Sequence, residues 1–388
     1  MPGGVQIPFS AEDLSARARR ITGIDIDDRD ALEPLRIMLR SLNEESELHA
    51  AGAQALEERF VRILSNRLRM RRDFERHPEI AEQKIEAPVF LFGMARTGST
   101  KTQKLFAASG DFNWLPYWKT VYPALLSGSR SESPQPRIDA TEEFARWFDA
   151  ASPDVRYAHP FETHEPEEDS AILEHSLRTP VCLGWSPYKS YLTWLVTQDM
   201  TAQFVYLRDS LKYLQWQGLA EPGRRWFLKS PLYTGLEAEV LKVFPDACLV
   251  MTHRHPSVTT PSGLRLLELF YKPYTRSRID VDFYMAGQAA AAEAHLANRA
   301  RMPELKLLDV DFRELVKSED SVIQRIYEFC GIPLTDASRA RMLKWSKENP
   351  QHKRGRHIYS LADFGLTEER IAAAFPGYAA FLRKTFGP

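Results

Sequence analysis

A short glycine-containing stretch carries the strongest chemical signal in the sequence. Residues 87–106 read APVFLFGMARTGSTKTQKLF, in which an apolar segment at 89–92 runs into a turn and then into a helical pattern that opens at Ser99. Gly93 and Gly98 have the spacing of the phosphate loop G-x-x-x-x-G-K-[ST], but serine occupies the lysine position. The first N–H groups of a helix lack partners and attract anions. The stretch therefore predicts a phosphate site that lacks the lysine of a nucleoside triphosphatase.

Side chains in and after this turn define what the site can bind. Arg96 adds a fixed cation, and Ser99 and Thr100 add hydroxyl donors. Lys101 does not replace the missing lysine, because one residue further along a helix is rotated by about 100°. The loop therefore favours a single phosphate over three, although a simple strand-to-helix turn with a good cap has the same residues.

Two later segments end on basic residues that follow apolar runs. Lys229 ends RWFLK, and Arg254 follows ACLVMTH, so both are expected at the carboxyl edge of a parallel sheet, where open α/β sheets bind ligands. Thr260 is predicted to cap a helix whose first residue is Pro261, which would leave Ser262 at a helix N-terminus. This arrangement predicts a second anion site.

The rest of the chain supplies the elements that position these residues. Residues 10–86 are predicted to be helical, with Ser10 as an N-cap. Further helices are expected at 140–150, 166–179, 200–218 and 234–244, and strands at 88–93, 224–231, 247–253 and 305–310. This alternation predicts an α/β fold with a P-loop-like, mostly parallel sheet of four to five strands flanked by helices. Residues 1–86 would form an N-terminal helical subdomain and residues 87–388 the α/β domain.

Composition excludes several functional classes. The 388 residues are 44% apolar and 27% charged, which is typical of a globular protein. Lysine and arginine (51) nearly balance aspartate and glutamate (52), so no basic surface for nucleic acid is expected. The three cysteines have no zinc-binding spacing, and no apolar run is long enough to span a membrane. A cytoplasmic protein is the resulting expectation.

Four blocks together resemble the sulfotransferases that use 3′-phosphoadenosine 5′-phosphosulfate (PAPS), in particular the bacterial group with an N-terminal helical region. FLFGMARTGST resembles the 5′-phosphosulfate loop, RWFLKSP the strand of the catalytic lysine, and FPDACLVMTHRHPSVTTPS the 3′-phosphate block. RGRHIYSLADFGL resembles the C-terminal segment of the same group. Their order and spacing extend over residues 88–370.

The resemblance implies a role for each candidate residue. Arg96 and the amides of Thr97, Gly98, Ser99 and Thr100 would hold the 5′-phosphate, and Lys229 would stabilise the bridging oxygen as it leaves. Arg254 and Ser262 would hold the 3′-phosphate, and Arg354 and Gly355 would close over it. PAPS would be the co-substrate, adenosine 3′,5′-bisphosphate the product, and no metal would take part.

The general base is where the sequence departs from the family. Cytosolic sulfotransferases place a histidine two residues after the lysine, and this chain has Pro231 there. The segment YAHPFETHEPEED concentrates histidines and glutamates, from which Glu165 and His159, followed by His164, are the candidate bases. The same acidic residues are also typical of a helix start.

Two other functions remain open from the sequence. A P-loop small-molecule kinase would use Asp309 and Asp311 for magnesium, and a non-catalytic nucleotide-binding protein would explain Pro231. The expected partner of a sulfotransferase is a small-molecule, carbohydrate or lipid acceptor with a hydroxyl group. Aromatic residues at 114–118 and 270–274 are candidates for its pocket. A homodimer is compatible with this reading, and no nucleic acid or transmembrane segment is expected.

Overall fold

One five-stranded sheet organises the chain in this computed structural model, which describes residues 9–350 and 359–387. All its strands are parallel, in the order β2-β3-β1-β4-β5. The strands are β1 (Val89–Phe92), β2 (Phe112–Asn113), β3 (Arg225–Lys229), β4 (Cys248–His253) and β5 (Leu307–Asp311). The predicted fold class is confirmed.

Helices cover both faces of the sheet, and the helices that precede β1 in the chain form a further layer. They are α1 (Ala11–Thr22), α2 (Arg29–Glu45), α3 (Ala50–Arg76), α4 (Glu79–Glu82), α5 (Ser99–Ser109), α6 (Tyr117–Val121), α7 (Gln135–Ala151), α8 (Val155–Ala158), α9 (Ser170–Leu173), α10 (Lys189–Leu195), α11 (Thr201–Trp216), α12 (Glu237–Val243), α13 (Pro256–Tyr271), α14 (Val281–Arg301), α15 (Phe312–Lys317), α16 (Glu319–Cys330), α17 (Asp336–Glu348), α18 (Glu368–Ala374) and α19 (Pro376–Phe386). In the two described ranges, no helix is long and apolar enough to cross a membrane.

The central strands are apolar on both faces because helices bury both. In β1, Phe90 and Phe92 enter a core with residues of α11, α12, α14 and α19, whereas Val89 and Leu91 pack with residues of α5 and α16. Successive side chains of a strand point to opposite faces, so a doubly covered parallel strand reads as an unbroken apolar run. This is why the sequence predicts β1, β3 and β4 correctly.

The register brings the ends of three strands together. Leu91 of β1 pairs with Lys229 of β3, and Phe92 pairs with Met251 of β4. The turn after β1, the end of β3 and the residue after β4, Arg254, therefore lie along one edge of the sheet. Parallel strands make this convergence unavoidable, since their carboxyl ends share one edge.

The N-terminal helices begin as predicted and share their core with later elements. The hydroxyl of Ser10 accepts a hydrogen bond from the Asp13 N–H at 3.2 Å and so caps α1. Leu35 and Phe60 of this layer lie in one hydrophobic cluster with Trp185 and Tyr274. The layer therefore covers the segment after α13 and the segment before α10, and the division at residue 86 stays a prediction.

Buried ion pairs connect α3 of this layer to the segment that follows α9. The Glu174 carboxylate accepts from Arg59 at 2.6 Å and from Arg62 at 2.5 Å, and its side chain is fully buried. Burial raises the pKa of Glu174, but the two arginines outweigh it and the net shift is downward. Glu174 therefore stays ionised and neutralises charge on both arginines.

Two predicted elements are wrong, both beside the ligand edge. The helix expected at 166–179 shrinks to α9 and a following 3₁₀ turn, because the backbone at 167–169 bonds to other elements. The Glu167 N–H donates to the carbonyl of Leu115, and the Asp169 N–H to that of Lys229. These tertiary hydrogen bonds hold an extended segment where local sequence favours a helix.

The start of α13 also differs from its prediction. The helix begins at Pro256, with His255 as the N-cap accepting from the Ser257 N–H, and Pro261 lies inside it. His255 and Pro256 offer the same start signal as Thr260 and Pro261, five residues earlier. Ser262 therefore lies in the second turn of α13 and is not at a helix N-terminus.

Candidate active site

The turn between β1 and α5 is held in shape by β4. Gly93 has φ 137°, and a Cβ there would lie 2.2 Å from the Thr252 carbonyl oxygen. The Thr97 hydroxyl lies 2.7 Å from the hydroxyl of Thr252 and donates to the Met94 carbonyl at 2.9 Å. Gly98 has φ 92° and leads into the helix. The Thr97 hydroxyl is therefore used to hold the turn in shape, and the backbone N–H of Thr97 is the group that can bind a ligand.

The first turn of α5 is suited to an anion. Gly98 is its N-cap and supplies no side chain, and the first turn contains no acidic residue. Lys101 pairs with Glu319 and so points its charge away from the turn. The amides that follow Gly98 are left to a ligand, and the helix dipole is positive at this end.

Lys229 reaches this helix terminus from the neighbouring strand. Its ammonium lies 3.1 Å from the Thr100 hydroxyl and also pairs with Glu168. The Lys229 side chain is 2% exposed, whereas Thr100 is exposed. The structure therefore places a buried cation at the N-terminus of α5, where the phosphate-loop motif lacks its own lysine.

Arg96, Ser262 and Arg254 form a second group beside the turn. Arg96 has φ 74°, and its guanidinium donates to the Ser262 hydroxyl at 3.0 Å and to the Ala158 carbonyl at 3.0 Å. Arg254 donates to the Arg96 carbonyl at 3.3 Å and lies 4.0 Å above the Phe312 ring. The three residues come from three separate segments that the fold brings together. The sequence assigned Arg96 to the 5′-phosphate and Arg254 and Ser262 to the 3′-phosphate, and these roles stay predictions.

Burial makes this second group receptive to an anion. It lowers the pKa of the Arg96 and Arg254 guanidinium groups, and the charge of Arg254 lowers that of Arg96 further. Arginine nevertheless stays protonated, so the cluster keeps two partly desolvated positive charges. Arg354 and Gly355 lie outside the described residues.

The segment 159–168, which contains a turn at residues 163–164, brings a histidine and two glutamates close to Lys229. The His159 ring nitrogen Nε2 lies 3.2 Å from the Glu167 carboxylate, and Glu168 pairs with Lys229. Burial raises the pKa of Glu167, but His159, then the hydrogen bond from the Glu168 N–H and the charge of Lys229, outweigh it, and the net shift is downward. Among the sequence candidates for the base, His159 is therefore the one found in contact with a neighbour of Lys229.

The other two candidate bases have partners elsewhere. Glu165 is 48% exposed, and its carboxylate lies 3.5 Å from the Lys104 ammonium. His164 is 65% exposed and lies 3.9 Å from Glu142. Glu165 contributes to the site region through its backbone, since its carbonyl accepts from the Tyr117 N–H.

Glu167 and Glu168 are the site residues that sequence reasoning did not select. Both belong to the acidic segment identified from the sequence, but neither has a local feature that separates it from Glu165. Tertiary hydrogen bonds hold this segment beside the lysine: the Glu167 N–H donates to the Leu115 carbonyl, the Asp169 N–H donates to the Lys229 carbonyl, and the Gln103 side chain donates to the Glu167 carbonyl. Ligand atoms of His159, Glu167 and Glu168 lie within 4.8 Å of one another, close enough to hold a cation. That no metal takes part stays a prediction.

The aspartates of the kinase alternative are otherwise engaged. Asp309 accepts from His253 at 2.9 Å and from Arg299 at 2.9 Å. Asp311 caps α15 by accepting from the Arg313 N–H at 2.8 Å. Both carboxylates thus have structural roles at the end of β5.

A parallel sheet whose middle strand delivers a glycine-rich turn into a helix, beside a lysine from the next strand, defines a P-loop-like transferase fold. The chain belongs to the sulfotransferase family, whose model matches residues 88–336. It is similar to the crystal structure of sulfotransferase STF9 from Mycobacterium avium, with 26% identity over 97% of both chains and a TM-score of 0.83. Sulfotransferase STF1 from Mycobacterium tuberculosis H37Rv shares the fold, with 24% identity over 96% of this chain and 100% of that chain, and a TM-score of 0.79. No curated protein sequence matches significantly.

Proposed function

We propose that this sulfotransferase moves the sulfuryl group of PAPS to a hydroxyl group of its acceptor. The contact between Lys229 and Thr100 carries this proposal, because it sets one cation at the amide-rich start of α5. That arrangement suits a single 5′-phosphate with a sulfuryl group, since no second lysine is present in the loop for a triphosphate. Arg96 and the amides from Thr97 to Thr100 would bind this phosphate.

The arginine cluster supports a donor with a second phosphate. Arg254 and Ser262 would bind the 3′-phosphate of PAPS, and Arg96, which contacts both, would link the two phosphate sites. Charge-assisted hydrogen bonds from buried guanidinium groups are among the stronger polar contacts in proteins. The cluster would therefore select PAPS over adenosine phosphosulfate.

The residues around Lys229 fit an in-line transfer. The acceptor oxygen forms a bond to sulfur while the bond between sulfur and the 5′-phosphate oxygen breaks, and its electron pair stays on the phosphate. Lys229 would stabilise that leaving oxygen. His159 would take the acceptor proton, with Glu167 holding its ring, and Glu168 would position Lys229. With His159 as the base, the reaction does not need the histidine that cytosolic sulfotransferases place two residues after the lysine, where this chain has Pro231.

The donor proposal is tested by calorimetric titration with adenosine 3′,5′-bisphosphate, adenosine 5′-monophosphate and magnesium ATP. We expect the bisphosphate to bind most tightly. Arg254→Ala should weaken its binding by about 2 kcal/mol, or roughly thirtyfold, because a charge-assisted contact to a partly desolvated phosphate is lost. The monophosphate should bind the variant and the wild type about equally, since it lacks the group that Arg254 contacts.

Arg265→Ala is the matched control for this titration. Arg265 lies on α13, as Ser262 does, but it is partly exposed and pairs with Glu268. Its removal should leave both affinities unchanged. Tight binding of magnesium ATP together with no binding of the bisphosphate would refute the PAPS proposal and revive the kinase alternative. If Arg254→Ala weakened the binding of the bisphosphate and of the monophosphate equally, Arg254 would lie outside the 3′-phosphate site.

A further inference from the structure

Two cysteines that are far apart in the sequence meet at the edge of the sheet opposite to the donor site. Cys248 is the first residue of β4, and Cys330 is the last residue of α16. Both are free thiols, and Cys248 packs against the hydrophobic cluster that contains Cys330. Their side chains share a hydrogen bond. We call Cys248 and Cys330 the thiol pair, and the proposed sulfuryl transfer does not use it.

A guanidinium group lies beside the thiol pair. Arg225, the first residue of β3, donates to the Cys330 carbonyl at 2.7 Å. The hydrogen bond from Cys330, helped by the charge of Arg225 and opposed by burial, lowers the pKa of the Cys248 thiol to about 7. The same hydrogen bond raises the pKa of Cys330. Cys248 is therefore the thiol that ionises, and Cys330 is the thiol that keeps its proton.

The thiols also differ in their access to solvent. Cys248 is partly buried, whereas Cys330 is 4% exposed. Oxidants react with a thiolate that they can reach, and a second thiol in contact with it can convert the product into a disulfide. The remaining cysteine, Cys182, is fully buried in another cluster, and burial raises the pKa of its thiol. The fold thus combines one accessible thiolate with one neighbouring thiol.

We propose that Cys248 and Cys330 form a reversible disulfide on exposure to a peroxide, which makes the thiol pair a redox modification site away from the donor site. The Cys248 thiolate attacks one oxygen of hydrogen peroxide, so that an S–O bond forms, the O–O bond breaks and hydroxide leaves. The Cys330 sulfur then attacks the sulfenic acid of Cys248. The S–S bond forms, the S–O bond breaks, and the hydroxyl group leaves as water with the Cys330 proton. The proton that Cys248 released neutralises the hydroxide, so two thiols and one peroxide give one disulfide and two waters.

The disulfide would connect the start of β4 to the end of α16. It would close the chain between residues 248 and 330, and a cross-link that closes a long segment restricts the unfolded chain strongly. We therefore expect the midpoint of thermal unfolding to rise by several degrees in the oxidised protein. Arg254 follows the opposite end of β4, so the affinity for adenosine 3′,5′-bisphosphate should change by less than about twofold.

Mass spectrometry of the folded protein treated with hydrogen peroxide tests this proposal. The intact mass should fall by two hydrogen masses, and the thiols that can be alkylated should fall from three to one. Digestion with trypsin should give linked peptides that contain Cys248 and Cys330, and dithiothreitol should restore all three thiols. Cys330→Ser should stop at the sulfenic acid of Cys248, which dimedone traps. Cys248→Ser should give neither the disulfide nor this trapped product.

Cys182→Ser is the matched control, since the Cys182 thiol lies 3.9 Å from the Thr179 carbonyl oxygen in the other cluster. This variant should form the disulfide as the wild type does. Three intact thiols after treatment, a disulfide between two molecules, or oxidation of Cys248 in the wild type without the link to Cys330 would each overturn the proposal. None of these results touches the PAPS proposal, because the transfer does not involve the thiol pair.

Discussion

Lys229→Met is expected to lower the rate of sulfuryl transfer about a thousandfold while leaving a folded protein that still binds adenosine 3′,5′-bisphosphate. Methionine keeps most of the length and apolar character of the buried lysine stem but has no charge. The leaving 5′-phosphate oxygen would then gather its charge without the cation that lies at the start of α5. The rate is measured as bisphosphate formed from PAPS in the presence of an accepted alcohol.

The partner of Lys229 requires a second variant. Removing the ammonium leaves the Glu168 carboxylate unpaired close to the donor site, and its charge would repel the donor phosphate. The double variant Lys229→Met with Glu168→Gln removes this charge, so any remaining loss of rate belongs to the missing lysine. We expect the double variant to recover donor affinity and not turnover.

Lys101→Met is the matched control for the catalytic lysine. Lys101 lies one residue after Thr100, but it is 39% exposed and pairs with Glu319. Its loss should change turnover less than twofold, because exposed ion pairs contribute little. A Lys229→Met enzyme that bound the bisphosphate and turned over at the wild-type rate would remove Lys229 from the chemistry.

His159→Ala is expected to lower turnover about a hundredfold without changing donor affinity, because a positioned general base contributes on that scale. Added imidazole should restore part of the rate in this variant, which a purely structural histidine would not show. Glu167→Gln should lower turnover by a smaller factor, since Glu167 acts through the ring that it holds at 3.2 Å. Glu167→Asp should recover part of that loss.

His164→Ala and Glu165→Gln serve as controls and also test the remaining sequence candidates. Both side chains are exposed and pair with Glu142 and Lys104. Turnover close to that of the wild type is expected for each. A large loss in Glu165→Gln, together with normal turnover in His159→Ala, would transfer the role of general base to Glu165.

The donor side of this site was accessible from sequence because its signals are local. The β1 turn, the lysine that ends β3 and the arginine after β4 each follow a short apolar run, and parallel strands bring such ends to one edge. Helix α1 and its Ser10 cap were predicted for the same reason, since a cap depends on neighbours within one turn. These predictions needed only periodicity and spacing.

Two errors show where local signals end. The sequence offers two start signals for α13, His255 before Pro256 and Thr260 before Pro261. The helix begins at the earlier one, so Ser262 contacts Arg96 from within the helix. For residues 166–179, a run of glutamates favours a helix start, but backbone bonds to Leu115 and Lys229 hold it extended. Each outcome depends on a partner far away in sequence.

The sequence by itself determined the parallel α/β fold, the phosphate turn that lacks a lysine, and the two cations from neighbouring strands. Those features follow from burial on two faces and from the unpaired amides of a helix start, which are properties of short segments. Tertiary structure alone decided which member of the acidic segment meets Lys229. Glu168 reaches it, and Glu165 does not contact it but pairs with Lys104, because long-range hydrogen bonds, and not helical periodicity, set the direction of each side chain.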